Sequence, residues 1–151
     1  MSQRIIRGVD ALIEEAEEQI ETISVRRGME LAGHPDVVFV DLREPRELDC
    51  EGRMPGAVHC PRGVMEFSID PASPSHNPIF AQDRRFVFFC AGGLRSALAA
   101  QVAAKMGLNP VCHMAGGFGA WKRAGGDVDR PALPPGVAPC PPLDAGQEIA
   151  A

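Results

Sequence analysis

One stretch constrains this 151-residue chain more than any other, and it runs from Arg85 to Met106. It begins Arg-Phe-Val-Phe-Phe-Cys, a short run rich in Phe and Val that predicts a buried strand. It ends Ala-Leu-Ala-Ala-Gln-Val-Ala-Ala-Lys-Met, an alanine-rich run that predicts a helix. Between them lies Ala-Gly-Gly-Leu-Arg-Ser, too short for anything but a tight turn. Cys90 is therefore expected at the carboxyl end of a strand, facing a helix N-terminus. The first amides of a helix have no partner within it, and the aligned peptide dipoles place partial positive charge there. Gly92 and Gly93 tolerate backbone angles closed to other residues, so successive N–H groups can turn inward as an anion cradle. Such a cradle favours the thiolate form of a cysteine over the thiol.

The rest of the chain repeats the alternation. Val9, Leu12, Ile13, Ala16 and Ile20 keep helical spacing, with Glu14, Glu15, Glu17, Glu18 and Glu21 opposite them. That predicts an amphipathic helix over residues 10–21 with a solvated acidic face. Thr22-Ile23 suggests an edge strand, and Ser24 caps a helix that ends near Gly33. Val37 to Val40 is apolar throughout, as in a parallel strand buried on both faces. Pro45 to Leu48 suggests one helical turn, Ala57 to His59 a short strand, and Arg62 to Phe67 a short helix. Asp70 to Pro78 is a loop by its prolines and small polar residues, with His76 and Asn77 exposed. Gly107 ends the alanine-rich helix, Pro110 to Met114 is a further strand, and Phe118 to Arg123 a last helix with Trp121 as its core anchor. Strands alternating with helices predict a single α/β domain, a parallel sheet with helices on both faces. No internal repeat is present.

Three stretches carry a family resemblance. Cys90-Ala91-Gly92-Gly93-Leu94-Arg95-Ser96 resembles the active loop of the rhodanese sulfurtransferases. Val40-Asp41-Leu42-Arg43-Glu44, followed by Gly52-Arg53-Met54-Pro55-Gly56-Ala57-Val58-His59, resembles the family's N-terminal signature. Gly116-Gly117-Phe118-Gly119-Ala120-Trp121 with Gly125-Gly126 resembles its C-terminal one. The resemblance spans roughly residues 21–126 in the family's order, which divides the chain into an N-terminal amphipathic helix (1–20), a rhodanese-like domain (21–126) and a tail (127–151). The resemblance implies sulfur transfer. The Cys90 thiolate takes a sulfane sulfur from a small anionic donor such as thiosulfate, and a persulfide forms. Cyanide or a thiol then removes that sulfur. The amides of Ala91, Gly92, Gly93, Leu94 and Arg95 hold the charge, and the Arg95 guanidinium faces the donor. Asp41 and Arg43 support the loop from the neighbouring strand end. Neither metal nor organic cofactor is implied.

Composition narrows the partners. The net charge is −5, which argues against nucleic acid. Residues 61–110 form the one positive segment, with five basic and three acidic residues, as an anionic substrate requires. Nothing approaches the length of a membrane span, and the N-terminus shows no signal peptide. Five cysteines, an odd number with no two separated by two residues, suggest free thiols and a reducing cytoplasm. Cys60 and Cys112 read as structural and Cys140 as exposed. His59 is expected to be structural rather than a base for Cys90, and of the two places open to His113, facing the pocket or hydrogen-bonded in the structure, the second is expected. Residues 127–151 hold six of the fourteen prolines and no apolar period, so the tail is expected to be extended or disordered, and any protein partner of it is left open by the sequence. Pro139-Cys140-Pro141-Pro142 offers a docking motif for an aromatic groove, though a featureless tail is the simpler expectation.

Three other functions fit a cysteine in such a loop. Cysteine phosphatases and arsenate reductases use a similar cradle, but they place five residues between Cys and Arg. Here Ala91, Gly92, Gly93 and Leu94 alone intervene, a smaller ring better matched to one sulfur than to a tetrahedral phosphate. A non-catalytic rhodanese-like binding module is the second, and the presence of Cys90 weighs against it. A core cysteine that merely follows a strand is the third.

Overall fold

The structure is a computed structural model and describes residues 2–140. The apolar runs form strands: β1 (Glu21–Ile23), β2 (Val37–Asp41), β3 (Val58–His59), β4 (Arg85–Phe89) and β5 (Val111–Met114). They join in one five-stranded sheet ordered β1-β5-β4-β2-β3, and each neighbouring pair is parallel. The helices among the described residues are α1 (Val9–Gln19), α2 (Val25–Leu31), α3 (Pro45–Glu51), α4 (Met65–Ile69), α5 (Leu94–Met106) and α6 (Gly117–Arg123).

Successive side chains of a strand point to opposite faces, and here both faces are covered. Val38, Val40, Phe86 and Phe88 pack against Met65 and Ile69 of α4 and Ala99, Ala100 and Ala103 of α5. Phe39, Val87, Phe89, Cys112 and Met114 pack against Leu31 of α2 and Phe118 and Trp121 of α6. This two-sided burial explains why β2 and β4 show no polar alternation. The small alanines of α5 let its axis approach the Phe-rich face, and α1 lies over α5 through Ile13, Ala16 and Ala97.

Boundaries moved where tertiary structure overrode local preference. Helix α1 stops at Gln19, because Glu21, Thr22 and Ile23 are taken up by the edge of β5, opposite Cys112, His113 and Met114. Helix α3 runs past a single turn to Glu51. Pro45 starts it, and Glu44 and Glu47 form a reciprocal capping box that satisfies two of its first amides. Ser24 caps α2 by accepting from the Arg27 amide at 3.1 Å, and Gly107 caps α5, both as expected. His76 and Asn77 are half-buried rather than exposed. The His76 ring bonds Ser68 O at 3.0 Å, and Asn77 Oδ1 caps the 3₁₀ turn Pro78–Ala81 through the Ile79 amide.

The cysteine reading needs correction. Cys50 and Cys140 form a disulfide, so Cys140 is not an exposed thiol, and Cys60, Cys90 and Cys112 alone are free. Sequence spacing gives no hint of a pair 90 residues apart. The chain itself brings them together. Residues 127–140 contain no helix but run back along the domain, where Arg53 and Asp129 form an antiparallel bridge and Arg46 donates to Ala138 O at 3.2 Å. This part of the tail is extended and tethered, and Pro141 and Pro142 of the docking motif lie outside the described residues. With two of five cysteines oxidised, cysteine usage no longer argues for a reducing compartment. Among the described residues no helix is long and apolar enough to cross a membrane.

Candidate active site

Cys90 is the first residue beyond β4, and its loop is shaped by a second loop pressed against it. Gly93 caps α5 at φ 99°, and a Cβ there would come within 3.0 Å of the Gly116 amide nitrogen. Gly117 has φ 57°, and its Cβ would lie 2.3 Å from Cys90 O. Only backbone fits between the two loops. The first amides of α6 close the contact: Phe118 N–H donates to Cys90 O at 2.8 Å and Gly119 N–H to Ala91 O at 3.0 Å. With its carbonyls held from that side, the Cys90 loop turns amides toward sulfur. Gly93 N–H donates to Sγ at 3.2 Å and Ser96 N–H at 3.4 Å, and Ser96 Oγ lies 3.6 Å away. The cysteine has no exposed surface, while Ala91 and Gly92 are half-buried and Leu94 is exposed.

Arg95 is committed to a partner. Its two terminal nitrogens donate to the two carboxylate oxygens of Glu47 at 2.9 and 2.8 Å. Glu47 is held at the N-terminus of α3, where its Oε2 also accepts from the Glu44 amide at 2.7 Å. Burial pushes the Glu47 carboxyl up, but the Arg95 hydrogen bond, the Glu44 amide and the charges of Arg95 and Arg43 outweigh it, and the net shift is downward. The Glu47 hydrogen bond holds the Arg95 guanidinium above its usual range. The pair ties the Cys90 loop to α3.

One strand over, Asp41 ends β2 and faces Arg43. Asp41 Oδ1 accepts from Arg43 N at 3.1 Å and Nε at 3.0 Å, and Oδ2 accepts from Nη2 at 2.8 Å. Nη2 also donates to Gly52 O at 3.0 Å, and the guanidinium stacks 4.0 Å above the Phe118 ring. Both residues are 1% exposed. His59 contacts the same loop, with Nε2 2.7 Å from Arg43 O. Cys60 and Cys112 sit in the core, and burial pushes both thiols up. Among the described residues no cluster of His, Cys, Asp or Glu is placed to hold a metal ion.

The rhodanese-like domain family model matches residues 24–124, about two-thirds of the chain and every strand beyond β1. This chain belongs to the rhodanese-like domain family. A protein named sulfurtransferase from Allochromatium vinosum is 34% identical over 95 residues, 63% of this chain and 80% of that one. The mouse thiosulfate sulfurtransferase/rhodanese-like domain-containing protein 3 is 26% identical over 104 residues, and the match spans 66% of each chain. Among solved structures, a Rhodopseudomonas palustris protein of unknown function, described as a possible tyrosine phosphatase, is 53% identical. It covers 85% of this chain and 99% of its own length with a TM-score of 0.83.

Around the loop of this rhodanese-like domain, Glu47 was not singled out from sequence, and other residues named there make contacts that the sequence did not show. Glu47 lies 48 positions from Arg95, and only the fold brings them together. Ser96 directs both its amide and its hydroxyl at Sγ. His113, expected as a structural histidine, bonds Ser96 Oγ through Nδ1 at 3.1 Å. The Gly116-Gly117 pair had a readable signal, since adjacent glycines after a strand mark a close backbone approach.

Proposed function

We propose that this rhodanese-like domain is a sulfurtransferase that carries sulfane sulfur as a Cys90 persulfide. The observation that carries this reading is the pair of backbone N–H groups, from Gly93 and Ser96, directed at Sγ from a loop of four residues between Cys90 and Arg95. In the first step the Cys90 thiolate attacks the outer sulfur of thiosulfate. Its electron pair forms the new S–S bond, and the old S–S bond breaks with both electrons leaving on sulfite. In the second, cyanide or a thiolate attacks the outer persulfide sulfur and Cys90 leaves as thiolate. The amides of the loop, with the Gly93 and Ser96 N–H groups already directed at Sγ, steady the persulfide anion, as oriented dipoles do where charge develops. Because Arg95 already pairs with Glu47, the donor meets a guanidinium whose charge is largely answered. The amides then supply most of the attraction.

Phosphate-ester hydrolysis is the second reading, favoured by the likeness to the possible phosphatase of Rhodopseudomonas palustris. It requires a cradle for a tetrahedral anion, and the shorter loop argues against one. Offering thiosulfate to the purified protein and weighing it intact decides the matter. One added sulfur atom, absent in Cys90→Ser, supports transfer. Cys90-dependent release of phosphate from an aryl phosphate, with no sulfur gained from any donor, would overturn it.

A further inference from the structure

The Ser96 hydroxyl that approaches Cys90 belongs to a longer file of groups. Ser96 Oγ lies 3.6 Å from Cys90 Sγ and 3.1 Å from His113 Nδ1. Strand register places Thr22 of β1 directly beside His113, and its Oγ1 lies 3.1 Å from His113 Nε2. Glu17 Oε1, from α1, lies 3.5 Å from the same nitrogen. Cys90, Ser96 and His113 are at most 1% exposed, whereas the Glu17 side chain is 45% exposed. The file therefore runs unbroken from the thiol to solvent. The titratable groups facing the ring are Glu17 from α1 and, through Ser96, Cys90; β1 presents Thr22, and β4 presents apolar Phe88.

We infer that Ser96 and His113 form a proton path from Cys90 toward Glu17, which makes His113 a positioning residue that readies the thiolate. The inference rests on Cys90 being the reacting thiol. As the S–H bond breaks, its proton passes to Ser96 Oγ while the serine's own proton passes to His113 Nδ1. Sulfur keeps the electron pair, and the imidazole becomes an imidazolium whose Nε2–H faces Thr22 Oγ1 and the Glu17 carboxylate. Serine suits the middle place because a hydroxyl donates and accepts at once. Burial holds His113 below the ordinary histidine range while Glu17 opposes part of that, so the ring stands neutral and ready to accept. The reverse transfer restores the thiol.

The test needs no sulfur donor. The rate of Cys90 alkylation by iodoacetamide is followed by peptide mass spectrometry in the full chain, at about pH 7 and about pH 10. At the lower pH, His113→Asn and Ser96→Ala should slow alkylation about tenfold, the effect of losing one charge-assisted hydrogen bond. At the higher pH solvent base replaces the imidazole as the final proton acceptor, and both should match the wild type. Glu17→Gln, a surface change that leaves the core intact, should slow the neutral-pH rate by roughly two- to threefold. Equal slowing at both pH values would mean a packing role and overturn the path, as would wild-type rates in Ser96→Ala and Glu17→Gln. A protein that shows the pH split yet takes sulfur from no donor would keep the path and refute sulfur transfer. One that transfers sulfur with no split would do the opposite.

Discussion

Two loops leave the carboxyl edge of this sheet side by side, one after β2 and one after β4, and they spend their polar groups in opposite ways. The two strands are paired from Val37↔Arg85 to Asp41↔Phe89, and Leu42 N–H still donates to Phe89 O at 2.9 Å. Position is therefore the same, and position alone permits a ligand site at either. After β2 the chain places full charges, Asp41 and Arg43, which consume each other's hydrogen bonds and are covered by Phe118. After β4 the chain places a thiol, two glycines and backbone amides, and the amides of Gly93 and Ser96 aim at the thiol sulfur. One loop turns its donors on a thiol, and the other turns them on a carboxylate.

The largest expected effect breaks that contrast at its centre. Cys90→Ser should lower thiocyanate formation from thiosulfate and cyanide on the order of a thousandfold or more, as removing a nucleophile does. Cys60→Ala and Cys112→Ala, each a buried thiol outside the loop, should keep turnover in the protein that folds. Full activity in Cys90→Ser would end the assignment.

Next comes the brace. Asp41→Asn removes the carboxylate charge that answers Arg43 while the guanidinium stays buried, so the protein should lose about 3–5 kcal/mol of stability by urea denaturation. Turnover per folded molecule should change little. A variant with wild-type stability and dead chemistry would place Asp41 in the reaction instead.

How much of this was legible beforehand follows from the range of the forces involved. The strands at Val37 and Arg85, the α5 helix and its Gly107 cap are written in local pattern, and they fold as read. The position of Cys90 follows from that pattern alone. The Glu47–Arg95 pair, the Cys50–Cys140 disulfide and the Ser96–His113 contact are not local. Each joins residues far apart in the chain: strand order sets which elements meet in the first and third, and the path of the tail along the domain sets the second. His113 is an instructive case: Thr22-Ile23 was readable as an edge strand and Pro110 to Met114 as another, but that the two would pair and set Thr22 beside His113 was not, because pairing is not written in either segment alone.

A smaller effect concerns Arg95. Glu47→Gln should leave the guanidinium with an unanswered charge beside the loop, and the KM for thiosulfate should fall about two- to fivefold, in line with a partly exposed ion pair. The KM for an uncharged persulfide donor should not move. If both rise together, the pair serves to hold the loop in shape rather than to set its charge.

The smallest expected effect separates the supports of the Cys90 loop by pH. Burial lowers the His113 pKa on folding, with Glu17 opposing, so the unfolded chain binds more protons at mildly acidic pH. The corresponding stability is present above about pH 6.5, the ordinary histidine value, and drains away as pH falls below it toward the lower folded value. Glu47 is also lowered on folding: burial raises it, and the Arg95 hydrogen bond and charge more than reverse that. Its contribution is present above about pH 4.3 and is lost as pH falls through the folded value. Urea midpoints taken from neutral pH downward should therefore begin to decline below about pH 6.5 and decline further below about pH 4.3. His113→Asn should flatten the first decline and leave the second, and Glu47→Gln should do the reverse. A His113→Asn protein that still loses stability between neutral and mildly acidic pH as the wild type does would show that the ring folds without a protonation preference, and the support of Cys90 from the β5 side would then be packing alone.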